Sequence, residues 1–183
     1  MKYEEKRMTL ADGTIVFLRS PERADAATAL DYLNTICAQT RFLSALPGER
    51  NITPEQEEHW IQKQLDGSAS MDIGAFKDGK LIGMAGVEPV GRPRHVHRAT
   101  LGIAILKDYW HLGLGTLLMR EAISAAQRMG FEYLELTVAA GNERAVKLYQ
   151  KFGFSVYGTY KNGNVYPDGT YDDVWLMNLE LGN

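Results

Sequence analysis

Apolar residues recur along this chain in two periods, and the switches between them mark out its elements. Thr14 to Arg19 is rich in β-branched and aromatic residues and reads as a strand. From Ser20-Pro21 the period lengthens. Ala26, Ala29, Leu30, Leu33 and Cys37 recur at helical spacing, behind a capping hydroxyl and a proline suited to the first helical position. Thr53-Pro54-Glu55-Gln56 opens a second helix: Thr53 and Gln56 are spaced as a capping box, and Trp60, Ile61 and Leu65 form the inward stripe. Between these helices Thr40 to Ile52, with its Pro47-Gly48, follows neither period and reads as a loop beside the substrate.

Two strands, Met71 to Lys77 and Lys80 to Val87, flank an Asp78-Gly79 turn and are expected to form a hairpin. Arg98 to Leu106 is the next strand. A helix from Gly113 to about Met129, a strand at Tyr133 to Ala139 and a helix from Asn142 to Phe152 follow. Ser155 to Lys161 and Tyr171 to Leu181 close the chain as strands, separated by Pro167-Asp168-Gly169. This alternation of strand and helix is that of a mixed α/β or α+β fold. There is no internal repeat and no linker, so residues 1–183 are expected to form one domain.

Composition narrows the function. The hydrophobic fraction of 45% and charged fraction of 23% are those of an ordinary globular protein. A net charge of -3 argues against a dedicated nucleic-acid binder. Arg92 to Arg98 is the one basic cluster, either a solvated loop or a rim that meets an anionic ligand. Cys37 is the only cysteine, which excludes a disulfide framework and a cysteine-based metal site; within an apolar helical stretch it reads as a buried thiol. The charged start, Met1 to Arg7, does not resemble a secretory signal, and no apolar run reaches the length that crosses a bilayer. A cytoplasmic protein without membrane or nucleic-acid partners is expected.

The strongest local signal is the strand Gly102-Ile103-Ala104-Ile105-Leu106 running through Trp110-His111-Leu112-Gly113-Leu114-Gly115-Thr116 into an amphipathic helix. The first N–H groups of a helix have no partner within it, and the helix dipole places partial positive charge there. Glycines at 113 and 115 would let an anion approach those groups, so residues 112–116 read as a phosphate or pyrophosphate cradle. A Walker A loop is excluded because Thr116-Leu117 follows Gly115 where Lys-Ser/Thr is required. Leu118 stands where a dinucleotide fingerprint needs a small residue, which disfavours a nicotinamide cofactor.

Downstream, Asn142-Glu143-Arg144-Ala145 begins a capped helix that continues through Leu148-Tyr149 to Gly153-Phe154. The two stretches together resemble the GNAT superfamily of acetyl-CoA-dependent N-acetyltransferases, whose pyrophosphate motif is Arg/Gln-x-x-Gly-x-Gly/Ala and whose second motif is Asn-x-x-Ala…Leu-Tyr-x-x-x-Gly-Phe. The resemblance is specific over residues 99–154. It departs from the pattern at Trp110, where the family most often has Arg or Gln, and at His111, where it often has Gly.

The resemblance implies a central mixed, largely antiparallel sheet of six to seven strands with a splayed parallel pair, flanked by about four helices. It implies acetyl-CoA as co-substrate, with no metal, and transfer of acetyl by direct attack of a primary amine on the thioester. The acceptor would be a small molecule or a protein amino terminus. Ile103, Ala104 and Ile105 would contact the pantetheine arm; His111, Leu112, Gly113, Leu114, Gly115 and Thr116 would hold the pyrophosphate; Asn142 would stand near the cofactor arm. Tyr149 matches the family tyrosine that protonates the leaving thiolate, although its spacing with Ala145, Leu148 and Phe152 equally describes a core stripe. Glu88 is the expected base, with Asp172, Asp173 or ordered water as alternatives. The competing reading is a non-catalytic acyl-CoA-binding or regulatory module; the presence of Tyr149 favours the enzyme. The aromatic and β-branched strands at the C-terminal end are a sheet edge exposed to pairing, and a homodimer through that edge is expected.

Overall fold

A computed structural model of the chain describes residues 1–182 apart from 44, 47, 50 and 68. Pro47 of the expected loop turn therefore lies outside the described residues. The strands are β1 (Lys6–Thr9), β2 (Ile15–Arg19), β3 (Met71–Lys77), β4 (Lys80–Pro89), β5 (Arg98–Ile105), β6 (Tyr133–Ala139), β7 (Ser155–Val165) and β8 (Tyr171–Glu180). The helices are α1 (Ala26–Gln39), α2 (Pro54–Asp66), α3 (Leu114–Arg128) and α4 (Glu143–Lys151).

The strands form one eight-stranded sheet in the order β1-β2-β3-β4-β5-β6-β8-β7. All neighbours run antiparallel except β5 and β6. The β3–β4 hairpin turns at Asp78 and Gly79, both at positive φ (49° and 75°), the backbone that an Asp-Gly pair provides at least strain. One face of the sheet is covered by α3 and α4: Leu117, Leu118, Ala122, Ala125, Ala126, Val146 and Tyr149 pack with Ile73, Ala85, Val87, Leu101, Leu134 and Met177. Ala29, Tyr32, Ile36 and Cys37 of α1 join Ile61 of α2 with Phe76 and Leu81 in a second cluster. No helix of the described chain is long and apolar enough to cross a membrane.

Three local expectations change. The first helix does not start at Ser20-Pro21. Ser20 is buried, where its hydroxyl accepts the Tyr3 N–H at 2.9 Å and donates to Asp72 O at 2.8 Å. The cap passes instead to Glu22 and Asp25, which form a reciprocal capping box over a short 3-10 turn, Arg23–Asp25. Trp60 is 40% exposed, so the inward stripe of α2 runs through Ile61. β1 is an eighth strand in the charged N-terminal stretch, secured by pairing with β2 and by Lys6, which donates to Glu121 of α3 at 2.7 Å. The Thr53–Gln56 capping box of α2 forms as expected.

Candidate active site

The site begins where the parallel pair comes apart. β5 and β6 are in register only at Arg98/Tyr133, Ala99/Leu134 and Thr100/Glu135. Beyond Thr100 the two strands diverge, and the alternation of antiparallel hydrogen bonds fixes which main-chain groups face the gap. Leu106 donates to Ile82 O at one end of the β4–β5 ladder and Val90 to Arg98 O at the other. The bonded pairs between them are therefore Met84/Ala104, Gly86/Gly102 and Glu88/Thr100. The N–H and C=O groups of Leu101, Ile103 and Ile105 point away from β4, toward β6. Across the gap Ala140 donates to Asp173 O and Leu181 to Glu132 O. By the same alternation Thr137 and Ala139 turn their main-chain groups toward β5. Leu101 N–H is used in the last β5–β6 pair, and the Ile105 and Ala139 carbonyls accept from Trp110 and Asn142; the other groups of these residues, with those of Ile103 and Thr137, line a slot within a cleft of about 1080 Å³.

One mouth of the slot is the start of α3. Gly113 caps this helix at φ +86°, a backbone that only glycine adopts without strain. Leu117 is the first residue to close a helical bond, donating to Gly113 O at 3.0 Å. The N–H groups of Leu114, Gly115 and Thr116 precede it and have no acceptor inside the helix. His111, Gly113, Gly115 and Thr116 line the cleft, whereas Leu114 and Leu112 send their side chains into the core. Gly115 has a packing role that spacing did not reveal: a Cβ there would lie 3.2 Å from Leu148 Cδ2 and 3.4 Å from Ile105 Cδ1. Trp110 donates from Nε1 to Ile105 O at 2.7 Å and carries the Arg144 guanidinium on its indole face, 3.1 Å from the ring centre. Partial burial pulls the pKa of Arg144 down.

α4 forms the opposite lip. Asn142 caps it by accepting the Ala145 N–H at 3.3 Å, and both Asn142 and Tyr149 line the cleft. Tyr149 is buried against Phe154, and burial pushes its hydroxyl pKa up to about 12. Ala104, assigned with its neighbours to the cofactor arm, also lines the cleft. Its main-chain groups belong to the ladder with β4, and its carbonyl accepts the Tyr32 hydroxyl at 2.9 Å.

The carboxylates are placed unevenly. Glu88 lies one strand from the slot, beside Thr100 in register, where Gln64 donates to it at 3.4 Å; it is not among the residues lining the cleft. Asp172 accepts the Gly141 N–H at 3.1 Å and the Tyr166 hydroxyl at 3.1 Å. Asp173 accepts from Lys161 at 2.7 Å and from the Asn162 N–H at 2.9 Å, and these bonds hold its pKa below the ordinary carboxylate range. The carboxylate that does line the cleft is Glu135, the last β6 residue still paired with β5, joined to Arg98. Only the fork itself distinguishes Glu135 from any other polar residue of an alternating strand.

Residues 38–154 match the Acetyltransferase (GNAT) family. This chain belongs to that family. As a GNAT acetyltransferase it takes acetyl-CoA as co-substrate, and the slot and the α3 terminus fit an arm bearing amides and a pyrophosphate. Among similar proteins, the L-amino acid N-acetyltransferase AaaT of Escherichia coli (strain K12) is 31% identical over 126 residues, covering 68% of this chain and 77% of that protein. The [ribosomal protein bS18]-alanine N-acetyltransferase of the same strain is 29% identical over 143 residues, 74% of this chain and 91% of that protein. A GNAT-family acetyltransferase structure from Streptococcus pneumoniae superposes with a TM-score of 0.85 at 36% identity, covering 90% of this chain and 99% of that one. The fold is shared with yncA of Salmonella typhimurium, solved with its cofactor acetyl-CoA (TM-score 0.80, 18% identity, 92% and 95% coverage). This GNAT enzyme thus carries the eight-stranded version of the expected sheet, with its one parallel pair at the site.

Proposed function

We propose that the chain, acting as a single domain, transfers the acetyl group of acetyl-CoA to a primary amine of a small molecule or a protein amino terminus. The observation that carries this reading is the slot beyond Thr100/Glu135, where the main-chain groups of Ile103, the carbonyl of Leu101 and the N–H of Ile105 have no strand partner. The amides of a pantetheine arm complete those bonds as an added strand would. The arm then leads from the N–H groups of Leu114, Gly115 and Thr116, which receive the pyrophosphate with His111 beside them, to the fork. A slot N–H polarises the thioester carbonyl.

The amine attacks the carbonyl carbon, the C–S bond breaks, and the amine's extra proton must leave. An ammonium of ordinary pKa about 10.4 is charged at neutral pH, so a group near the fork must first accept a proton. Glu135 stands at that point, and Glu88 lies one strand further out. Tyr149 supplies the departing sulfur with a proton; with its pKa at about 12 it stays protonated throughout the neutral range. The relatives' names support an amine acceptor and divide it between free L-amino acids and a protein alanine.

The test is release of CoA thiol from acetyl-CoA with amino acids, amino-terminal peptides and polyamines as acceptors. Glu135→Gln and Glu88→Gln separate the two carboxylates: loss of the acidic limb of the pH–rate profile in one variant identifies the base. If neither moves that limb, water or the substrate itself carries the proton.

A further inference from the structure

The cleft also reaches the sheet face turned away from α3, between Arg41, Phe42 and Leu43 after α1 and Tyr166-Pro167 at the tip of the β7–β8 hairpin. Two cleft residues there bear charge without serving the α3 mouth: Glu135, already joined to Arg98, and Arg41. Among the described residues, no carboxylate is in ion-pair contact with Arg41. Its guanidinium carbon lies 4.1 Å from the centre of the Tyr166 ring. That ring is fixed: Tyr166 is buried, its hydroxyl donates to Asp172, and Asp172 accepts the N–H of Gly141 at the approach to α4. A Cβ on Gly141 would come within 2.8 Å of Asp172 Oδ2, so a larger residue there would shift the carboxylate. The chain Arg41–Tyr166–Asp172–Gly141 therefore seats one cation on a rigid aromatic plate at this end of the cleft.

Stacking satisfies the face of a guanidinium and leaves its in-plane N–H fork open, and that fork matches a carboxylate with two parallel bonds. We propose that the acceptor is an amino acid, an amine with a free carboxylate beside it, and that Arg41 binds this carboxylate while the amine faces the fork. The proposal rests on reading the cleft as the acetyl-transfer site. A polyamine would bring like charge to Arg41, and a peptide amino terminus lacks the adjacent carboxylate.

The experiment measures kcat/KM by thiol release for a panel of L-amino acids, their matched carboxamides and a polyamine, with the wild type, Arg41→Gln and Arg41→Lys. The wild type is expected to prefer acid over amide. Arg41→Gln should lower turnover of the acid roughly 10- to 100-fold, the worth of a charge-assisted pair, and collapse the acid-to-amide ratio toward one; Arg41→Lys should restore part of it. An equal fall on acid and amide makes Arg41 a packing residue and overturns the assignment. A parallel rise in KM for acetyl-CoA places Arg41 on the CoA phosphates and overturns it too. Turnover of amides or polyamines alone overturns this assignment but leaves acetyl transfer standing. Thiol release with no amine overturns both.

Discussion

Asp72 offers a quantitative test of the packing around β3. It lies partly buried on the β4 side of that strand, its carboxylate so close to Gly86 that a Cβ there would meet Oδ1 at 2.8 Å. Burial, and next the negative charge of Glu88, push its pKa from the ordinary 3.8 up to about 6, with the amino group of Met1 offsetting part of the rise. The folded state therefore holds a proton that the unfolded state has already released between pH 3.8 and about 6. Stability falls as pH rises through that window, and the cost is complete above it. At about 1.4 kcal/mol per pH unit, the rise amounts to about 3 kcal/mol of destabilisation at pH 8. Asp72→Asn removes the charge but keeps the shape. It should raise unfolding free energy by about 1 to 3 kcal/mol at pH 8 and by only a few tenths of a kcal/mol at pH 3.5, where Asp72 is mostly protonated in both states. Urea denaturation of both proteins across this range reads the difference directly. A gain that is the same at pH 3.5 and pH 8 would refute the linkage, because a packing effect has no reason to follow protonation.

Other outcomes follow from the site. Tyr149→Phe should lower kcat by roughly 10- to 100-fold, the low end of general-acid contributions, because a thiol is already a tolerable leaving group. Its melting temperature should hardly move, since among the described residues the Tyr149 hydroxyl makes no hydrogen bond; an unchanged kcat would remove Tyr149 from the chemistry. Arg144→Gln should weaken CoA binding by roughly tenfold in titration calorimetry, with S-acetylpantetheine turnover far less affected, if the guanidinium on Trp110 meets the phosphates. The edge strand β7 exposes Tyr157, Tyr160 and Val165; sedimentation should give twice the chain mass, and Tyr160→Lys should halve it. A monomeric wild type would remove the edge-pairing argument.

The parts of the site that were legible in the sequence are those whose function is local. The Gly113 turn, the Asn142 cap and the Asp78-Gly79 hairpin each satisfy their own backbone within a few residues, so spacing alone reveals them. Tyr149 was legible only through its motif, because its periodicity is that of the core stripe it also serves. What escaped depends on partners far along the chain. Ser20 looks like a helix cap until Tyr3 and Asp72 occupy its hydroxyl. β1 carries too much charge to read as a strand, and becomes one because β2 and Glu121 accept it. Glu135 and Arg41 have no local signature at all. One stands at the register position where β5 and β6 part, and the other has the Tyr166 ring beneath it.

The same dependence explains why the cleft can be both open and well defined. Sheets normally leave few main-chain groups unpaired, and a gap in mid-sheet would be expected to close by re-pairing. Here it cannot close. β5 is held on its far side by the full ladder with β4, and β6 by its ladder with β8. Gly115 lets α3 settle against Leu148 of α4 and Ile105 of β5, wedging both helices at the open end. At the same end, Trp110 occupies the Ile105 carbonyl and Asp172 the Gly141 N–H, so the strands' last groups are already committed outside the gap. Among the described residues the groups left facing the gap are those of Ile103 and Thr137, the Leu101 carbonyl and the N–H groups of Ile105 and Ala139, and an extended chain of amides is the simplest shape that pairs with them. A slot held open in this way keeps its own hydrogen-bonding capacity for the ligand.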